Sequence, residues 1–547
     1  MIEAFPPGLL LIAGAVLVPL LRGSARTTLL LALPVLTLWL VWSLPEGGAV
    51  QAHFLGWEIH PVRVDALTRV FATVFSIMAF AGALFAYRNA STLELSAAFA
   101  YAGSAIGAVF AGDLLTLFVF WELMAITSAL VIWAAGTPES YRAGMRYLAI
   151  HLLGGVVLMV GIIGYVNATG STEFTALTHQ GVARWLILAG FLVNAGAPPL
   201  SAWIGDAYPE GSPSGTVFLS AFTTKTAVYT LIRGFPGETV LLFFGLYMVF
   251  YGIIYALLEN DMRRILAYSI VNQVGFMVTA VGIGTPLALN GAASHAFAHI
   301  IYKALLLMSA GSVLHQTGER KCSNLGGLFQ SMPITTVCGT IGALAISAFP
   351  LTSGFVTKSM INSAAAEEHL IVPWFLLVAA SAGVFLHAGI KFPWFVFFQK
   401  DSGLRPPDPP ANMRWAMYLF AFLCVGIGVY PQPLYAILPY PVDYAAYTGG
   451  HLVTQLQLLL FAGLAFFVML PMMKRTNTIT LDVDWLYRRL GPAMVRTAVR
   501  VWDATQGAVA AGTMSSVRAA IRWLEHHYGP PGTLARTWPT GSMVMWV

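Results

Sequence analysis

Charge is what this sequence has least of. Only 10% of its 547 residues are Asp, Glu, Lys or Arg, where a soluble domain carries about 25%, so a water-dissolved globule is excluded. Cysteine is nearly absent: Cys322, Cys338 and Cys424 stand far apart with no CxxC pair, which leaves no disulfide framework and no thiolate metal site. No GxxxxGK[ST] run occurs, so nothing points to nucleotide hydrolysis. Neither a cofactor nor a metal ion is expected. The formal net charge of +5 carries no argument for nucleic acid, because in so apolar a chain the position of each charge matters more than the sum.

What fills the chain is oil. Hydrophobic residues make up 57% and the mean hydropathy is +0.73. Apolar runs of about 18 residues or more, each enough to cross a bilayer, recur from end to end. They are continuous rather than alternating, which excludes a β-barrel. The pattern predicts an all-α polytopic membrane protein of about 14–15 spans, the runs extending from 6–21 to 452–472. The first run, "PPGLLLIAGAVLVPLL", lacks a basic segment before it and reads as a retained helix rather than a signal peptide. The stretch 47–62 alternates polar and apolar residues and reads as a small external hairpin.

The basic residues orient the chain. With the N-terminus outside, fourteen lysines and arginines, from Arg22 to Lys474 and Arg475, fall in inner loops, and only Arg63, Arg69, Arg184 and Arg233 fall outside. This is the positive-inside asymmetry. It predicts a multi-pass protein of a bacterial inner membrane with a cytoplasmic C-terminal tail. From about residue 476 the composition changes: Arg489, Arg496, Arg500, Arg518 and Arg522 alternate with apolar positions. That tail reads as one or two basic amphipathic helices against the bilayer surface or a partner.

Ionisable groups at membrane depth cost a few kcal/mol each and need a reason. The candidates are Glu122, Lys225, Lys303, Lys358 and Lys391, with His151, His295, His299 and His387. Lys225 is central in its span. Lys391 is near enough to the inner end to snorkel, and His151 and His387 read as packing contacts. His295, His299 and Lys303 are spaced by four, so they share one helix face. Such a stripe suits a hydrated path that passes protons.

Two spans carry helix breakers: Pro198 and Pro199 in "FLVNAGAPPLSAWIGDAYPEG", which also holds the secondary candidate Asp206, and Pro350 with Gly354 in "LAISAFPLTSGFVTKSMINSA". Broken backbone is tolerated at membrane depth only beside protein or water. A pair of interrupted spans is a pointer to an inverted-repeat transporter. Each break is followed by a lysine-bearing span, with 31 positions from Asn194 to Lys225 and 33 from Lys358 to Lys391. Two units of about five helices follow, inverted because five is odd. The expected divisions are 1–90 (first helices and hairpin), 91–234 and 235–400 (the repeats), 401–475 (last spanning helices) and 476–547 (tail).

The segments "GDLLTLFVFWELMAITSALVIW", "PEGSPSGTVFLSAFTTKTAVY", "NDMRRILAYSIVNQVGFM" and "FPLTSGFVTKSM" resemble the antiporter-like membrane subunit family. It comprises large subunits of Mrp-type multisubunit cation/proton antiporters and the proton-pumping membrane subunits of respiratory complex I and of membrane-bound hydrogenases. The resemblance runs from about 60 to 430, and Lys358 matches the choice of the D-type Mrp subunits. It implies fourteen core helices with the fourth to eighth and ninth to thirteenth as inverted repeats. It implies that Glu122 is the fifth-helix glutamate, Lys225 the eighth-helix lysine, His299 the eleventh-helix histidine and Lys358 the twelfth-helix lysine of a hydrated axis. Three positions depart: Asn194 replaces the seventh-helix lysine, Ser201 a histidine, and Gln273 the tenth-helix histidine of some members. Asparagine hydrogen-bonds a carboxylate but does not neutralise it.

The expected function is ion translocation in a multisubunit Na⁺/H⁺ antiporter, not enzymatic catalysis, through a chain of Glu122, Lys225, His299, Lys303, Lys358 and Lys391, with His295, Asn194 and Asp206 secondary. The alternatives are a proton-translocating membrane subunit of a redox-driven complex I-like or hydrogenase-like complex or of an ion-coupled uptake complex, and a non-conducting structural subunit. Other membrane subunits, protons, Na⁺ and the bilayer are the expected partners, and nucleic acid is not.

Overall fold

The computed structural model describes residues 6–54, 56–473, 481–530, 532–537 and 539–547. The chain divides into two units, Met1–Thr480 and Leu481–Val547. Lys474 and Arg475, counted above among the inner charges, lie outside the described residues.

The first unit opens with α1 (Pro7–Leu17) and α2 (Gly23–Ser43), then a hairpin of β1 (Ala49–Phe54) and β2 (Trp57–Arg63). The helices α3 (Ala66–Ala86), α4 (Thr92–Phe110), α5 (Leu114–Trp133) and α6 (Pro138–Thr169) follow. The seventh is broken into α7a (Val182–Ala195) and α7b (Ala202–Ala207), and the eighth into α8a (Gly215–Leu219) and α8b (Thr223–Gly234). Then come α9 (Val240–Leu258), α10 (Met262–Ile283), α11 (Pro286–Thr317), the broken pair α12a (Pro333–Ile346) and α12b (Ser353–Glu367), α13 (Ile371–Val384), α14 (Ala411–Val429) and α15 (Gly449–Met469). Eleven helices among the described residues are long and apolar enough to cross a membrane, α13 being counted through its extension to Phe398. The protein is an all-α polytopic membrane protein, the hairpin being the only sheet among the described residues.

Several helices, α3–α6, α10, α11 and α15, begin where a side chain satisfies a first free N–H group. Asp113 accepts from Leu115 N at 2.9 Å and Thr116 N at 2.8 Å, and its second oxygen accepts from His60 N at 2.8 Å, tying α5 to the hairpin. Asp261 caps α10 in the same manner. Gly196, at φ +79°, turns α7a out of the helix in the left-handed region that a side chain disfavours.

Two breaks fall where proline predicted them, in α7 and α12. The break in α8, at Ser220–Phe222, is one the sequence did not announce, since neither glycine nor proline marks it. The cue present is the run "SAFTTKT", whose hydroxyls compete for backbone partners: Ser220 Oγ donates to Val217 O at 2.8 Å. Beyond Val384, α13 relaxes into π-helical turns at Phe385–Lys391 and Trp394–Phe398, the kind of wide turn that often marks functional sites.

At the face opposite the hairpin, ion pairs clamp the linker between α7b and α8a. Arg146 holds Asp206 with two bonds of 2.7 and 2.8 Å, and Arg320 reaches Glu210 at 2.9 Å and Asp261 at 2.6 Å. Arg263 donates to Gly211 O at 2.7 Å, to Ser212 O at 2.8 Å and to Thr216. Burial pushes the Glu210 carboxyl up, but the hydrogen bond and charge of Arg320 outweigh it and hold it below the usual range.

In the second unit the tail forms one helix, α16 (Asp484–Tyr528), continuous through Pro492, with a short turn at Thr540–Val544. Arg488 pairs with Asp484 one turn before it at 2.7 Å.

Candidate ion pathway

Of the long spanning helices α10 and α11 are the most enclosed, and the polar groups gather on them. Lys225, Lys303, His295 and His299 have no exposed surface and Lys358 has 1%. Each lysine amine is held by oxygen atoms. Lys225 Nζ donates to Ser220 O at 2.6 Å and Thr224 Oγ1 at 3.0 Å. Ser220 O is a carbonyl at the break in α8, so the lysine caps the interruption beside it. Lys358 Nζ donates to Ile346 O at 3.0 Å, the last carbonyl of α12a, and lies 4.9 Å from the Phe276 ring centre, a cation–π distance. Lys225 and Lys358 therefore occupy like positions, each on carbonyls freed by a broken helix.

Lys303 Nζ donates to Ser269 Oγ at 2.9 Å and Leu266 O at 3.3 Å, both on α10. His295 bridges two helices: one ring nitrogen lies 3.1 Å from Gln273 Oε1 on α10, the other 3.1 Å from Thr357 Oγ1, the neighbour of Lys358. Tyr302 OH donates to the same Gln273 oxygen at 3.1 Å. Gln273, noted from sequence only as a departure, is thus the hub of this network. His299 lies one turn from His295 and one turn from Lys303 on α11, its ring centre 5.2 Å from that of Tyr302 and 6.5 Å from that of His295. Among the described residues no ion pair joins Lys225, Lys303 or Lys358 to a carboxylate.

Lys391 sits apart from that group. Its amine donates to Ala256 O, Leu257 O and Glu259 O at 2.6, 2.7 and 2.7 Å, closing the C-terminal end of α9. His387, on the π turn before it, bonds Gly383 O at 2.8 Å through one nitrogen, and its other nitrogen is buried without a protein partner.

Glu122 stands on the flank of α5, partly open, between the exposed Val119 and Ile126. Its carboxyl packs on Gly155 of α6, where a Cβ would collide with Oε1, and that oxygen has no hydrogen-bond partner. Asn194, buried at the end of α7a, leaves both amide atoms unpartnered. Neither Asn194 nor Lys225 hydrogen-bonds Glu122. Asp206 is committed to Arg146.

Buried polar atoms in proteins are satisfied by protein or by water. His299 Nδ1 and Nε2, Thr226 Oγ1 and the Asn194 amide have no protein partner among the described residues. Residues 111–385 match the family described as NADH:quinone oxidoreductase/Mrp antiporter, transmembrane. The chain belongs to this family. The matched span takes in every axis residue from Glu122 to Lys358 and stops six positions before Lys391. Within the family, the chain is 32% identical over 357 residues to the A/B component of a probable K⁺/H⁺ antiporter of Rhizobium meliloti, covering 61% of this chain but 36% of that protein. It is 32% identical over 288 residues to the D component of the Na⁺/H⁺ antiporter of Alkalihalophilus pseudofirmus, covering 49% of this chain and 58% of that one. The chain thus spans about a third and somewhat over half of these two relatives. Its fold matches a chain of the Mrp complex from Dietzia sp. DQ12-45-1b with a TM-score of 0.80 at 22% identity, over 94% of this chain and 62% of that one.

The missing seventh-helix lysine gives a test of Glu122. Asn194→Lys is expected to be tolerated, since both amide atoms are unpartnered, and to change the pH profile of transport. Adding Glu122→Gln should cancel the change. A profile unmoved by Asn194→Lys, read in everted vesicles, would take Glu122 out of the pathway.

Proposed function

We propose that this chain is the ion-translocating component of a multisubunit monovalent cation/proton antiporter, exchanging Na⁺ for protons. It acts within an assembly of other membrane subunits and is a transporter component rather than an enzyme. One observation carries the reading: three fully buried lysines, uncompensated by carboxylates among the described residues, flank a histidine whose two nitrogens lack protein partners. A buried amine without a counter-charge is costly to keep protonated, so it is suited to taking up and releasing a proton. The path runs from Lys225 through His299 and Lys303 to Lys358, with His295 tuning it through Gln273. Glu122 and Asn194 stand at one lateral end, and Asp206 and Lys391 at the face opposite the hairpin. The helices of 91–234 and 235–400 form the two inverted repeats, each supplying one broken-helix lysine. The hairpin face is external and the tail cytoplasmic in a bacterial inner membrane, the direction favoured by the loop charges. Sodium is favoured by the relative named as a component of a Na⁺/H⁺ antiporter.

A redox-driven complex is the second reading, because the family description itself joins quinone oxidoreductases with Mrp antiporters. The test is purification in mild detergent followed by reconstitution. Collapse of an imposed pH gradient on adding Na⁺ is the expected result. Co-purifying iron–sulfur or quinone-site proteins, with no cation response, would replace the antiporter reading by the second.

A further inference from the structure

Two hollows of unlike chemistry meet at one side chain, Trp394. Between α12a, the π-helical end of α13 and α15 runs a groove of about 480 Å³, walled by Leu344, Phe385, Ile390, Leu460 and Phe467. Apart from Thr340 and the Trp394 N–H, nothing polar in a side chain lines it. At the face opposite the hairpin lies a cavity of about 890 Å³, lined by Ser323, Asn324, Gln399, Lys400, Asp401 and Ser402. Trp394 lines both, so the apolar groove abuts the polar mouth. Tryptophan is enriched where a bilayer passes from chains to head groups. Glycine keeps the groove open: a Cβ on Gly463 would stand 3.6 Å from Phe385 and 3.7 Å from Ile390. That is ordinary contact distance, so a larger side chain at 463 would enter the groove.

The mouth is a built structure. Gln399 Nε2 donates to Cys322 O at 2.8 Å and Leu325 O at 2.9 Å, and Ser402 Oγ donates to Gly326 O at 2.8 Å. Asp401 is neutralised by Arg405, whose Nη1 donates to it at 2.9 Å. Lys400 is exposed and makes no ion pair among the described residues, so the mouth keeps one uncompensated positive charge. The groove is also the right length for one leaflet. Along α15 its wall extends from Leu456 to Phe467, eleven steps that span about 16 Å at the helical rise, half of a hydrocarbon core about 30 Å thick. A partner's spanning helix would cross both leaflets. A groove one leaflet long, apolar along its length and basic at one end, matches a molecule with an apolar chain and an anionic head. Basic pockets between helices at this kind of face take anionic head groups.

We propose that the groove between α12a, α13 and α15 is a binding site for one anionic phospholipid of the leaflet at the face opposite the hairpin. An acyl chain lies along Leu460, Gly463 and Phe467 against the π-helical turns of α13. The phosphate sits in the mouth beside Lys400, with Ser323 and Asn324 as further polar groups and the Trp394 ring at the boundary between chain and head. The site stands apart from the buried lysines and does not depend on which ion the chain moves.

The test reconstitutes the assembled complex with phosphatidylglycerol that carries a photoreactive diazirine on its acyl chain, followed by irradiation and peptide mapping. Label concentrated on residues 385–398 and 456–467 is expected. Unlabelled phosphatidylglycerol should displace it about fivefold better than phosphatidylcholine, the worth of one basic residue near an anionic head group. Gly463→Phe should remove most of the label from both segments by filling the groove. Lys400→Glu should erase the preference for phosphatidylglycerol; this side chain is exposed, so the variant keeps the test open if Gly463→Phe does not assemble. Label spread evenly over the other lipid-facing helices overturns the site, as does equal displacement by the two lipids. So does label unchanged by Gly463→Phe, or the two segments shielded from the lipid by a partner's peptide.

Discussion

Lys225→Ala is expected to abolish cation-coupled proton movement, a loss on the order of a hundredfold or more by analogy with removal of a positioned proton-transfer group, while the chain still co-purifies with its partners. The side chain has no exposed surface, so it does not snorkel. Its amine is held by Ser220 O at 2.6 Å at the break in α8. Alanine removes both the proton carrier and the cap on that carbonyl. Lys225→Arg separates the two roles, because guanidinium keeps the charge and the donors but does not release its proton. An arginine variant that assembles normally and transports poorly assigns the loss to proton exchange. Normal exchange by the alanine variant in everted vesicles would remove Lys225 from the path.

The second large effect is expected at Lys358. Lys358→Ala should be severely impaired and Lys358→Arg partly active. The amine caps Ile346 O at 3.0 Å and lies over the Phe276 ring. Arginine offers a cation for both contacts, which is why some function should survive. It does not give up its proton at accessible pH, which is why function should not be complete. Equal rates for arginine and lysine would mean that a fixed positive charge suffices at this position, and proton exchange there would be abandoned. The measurement is initial rate against pH for the three forms, normalised to assembled complex.

The proposed transport requires water to reach these amines, and the same atoms that make the site costly would make it usable. A buried lysine with no carboxylate partner is retained only where something offsets its desolvation. Here the offset comes from carbonyls that broken helices leave unpaired. In the proposed mechanism the break and the lysine act together: the interruption supplies oxygen atoms that hold the charged form, and release of the proton frees them for water.

The spans were set by the sequence alone, because in lipid the backbone must close its own hydrogen bonds and a long apolar run has only the helix available. The breaks in α7 and α12 were legible too, since proline removes a donor wherever it stands. The face shared by His295, His299 and Lys303 followed from a spacing of four. The break in α8 was not legible, since Ser220–Phe222 holds no glycine or proline and becomes an interruption only when Lys225 takes the freed carbonyl. Nor was the partner of Lys391. It caps α9 some 130 residues earlier in the chain, and no local period records a contact of that range. Gln273 looked like a lost histidine until α10, α11 and α12b packed and made it the acceptor between His295 and Tyr302. Sequence determined what had to be helix and which groups were too costly to be idle. Tertiary packing decided which of those groups share an oxygen, because the low dielectric forces each buried polar atom to find a partner and only the assembled helices determine which partner is in reach.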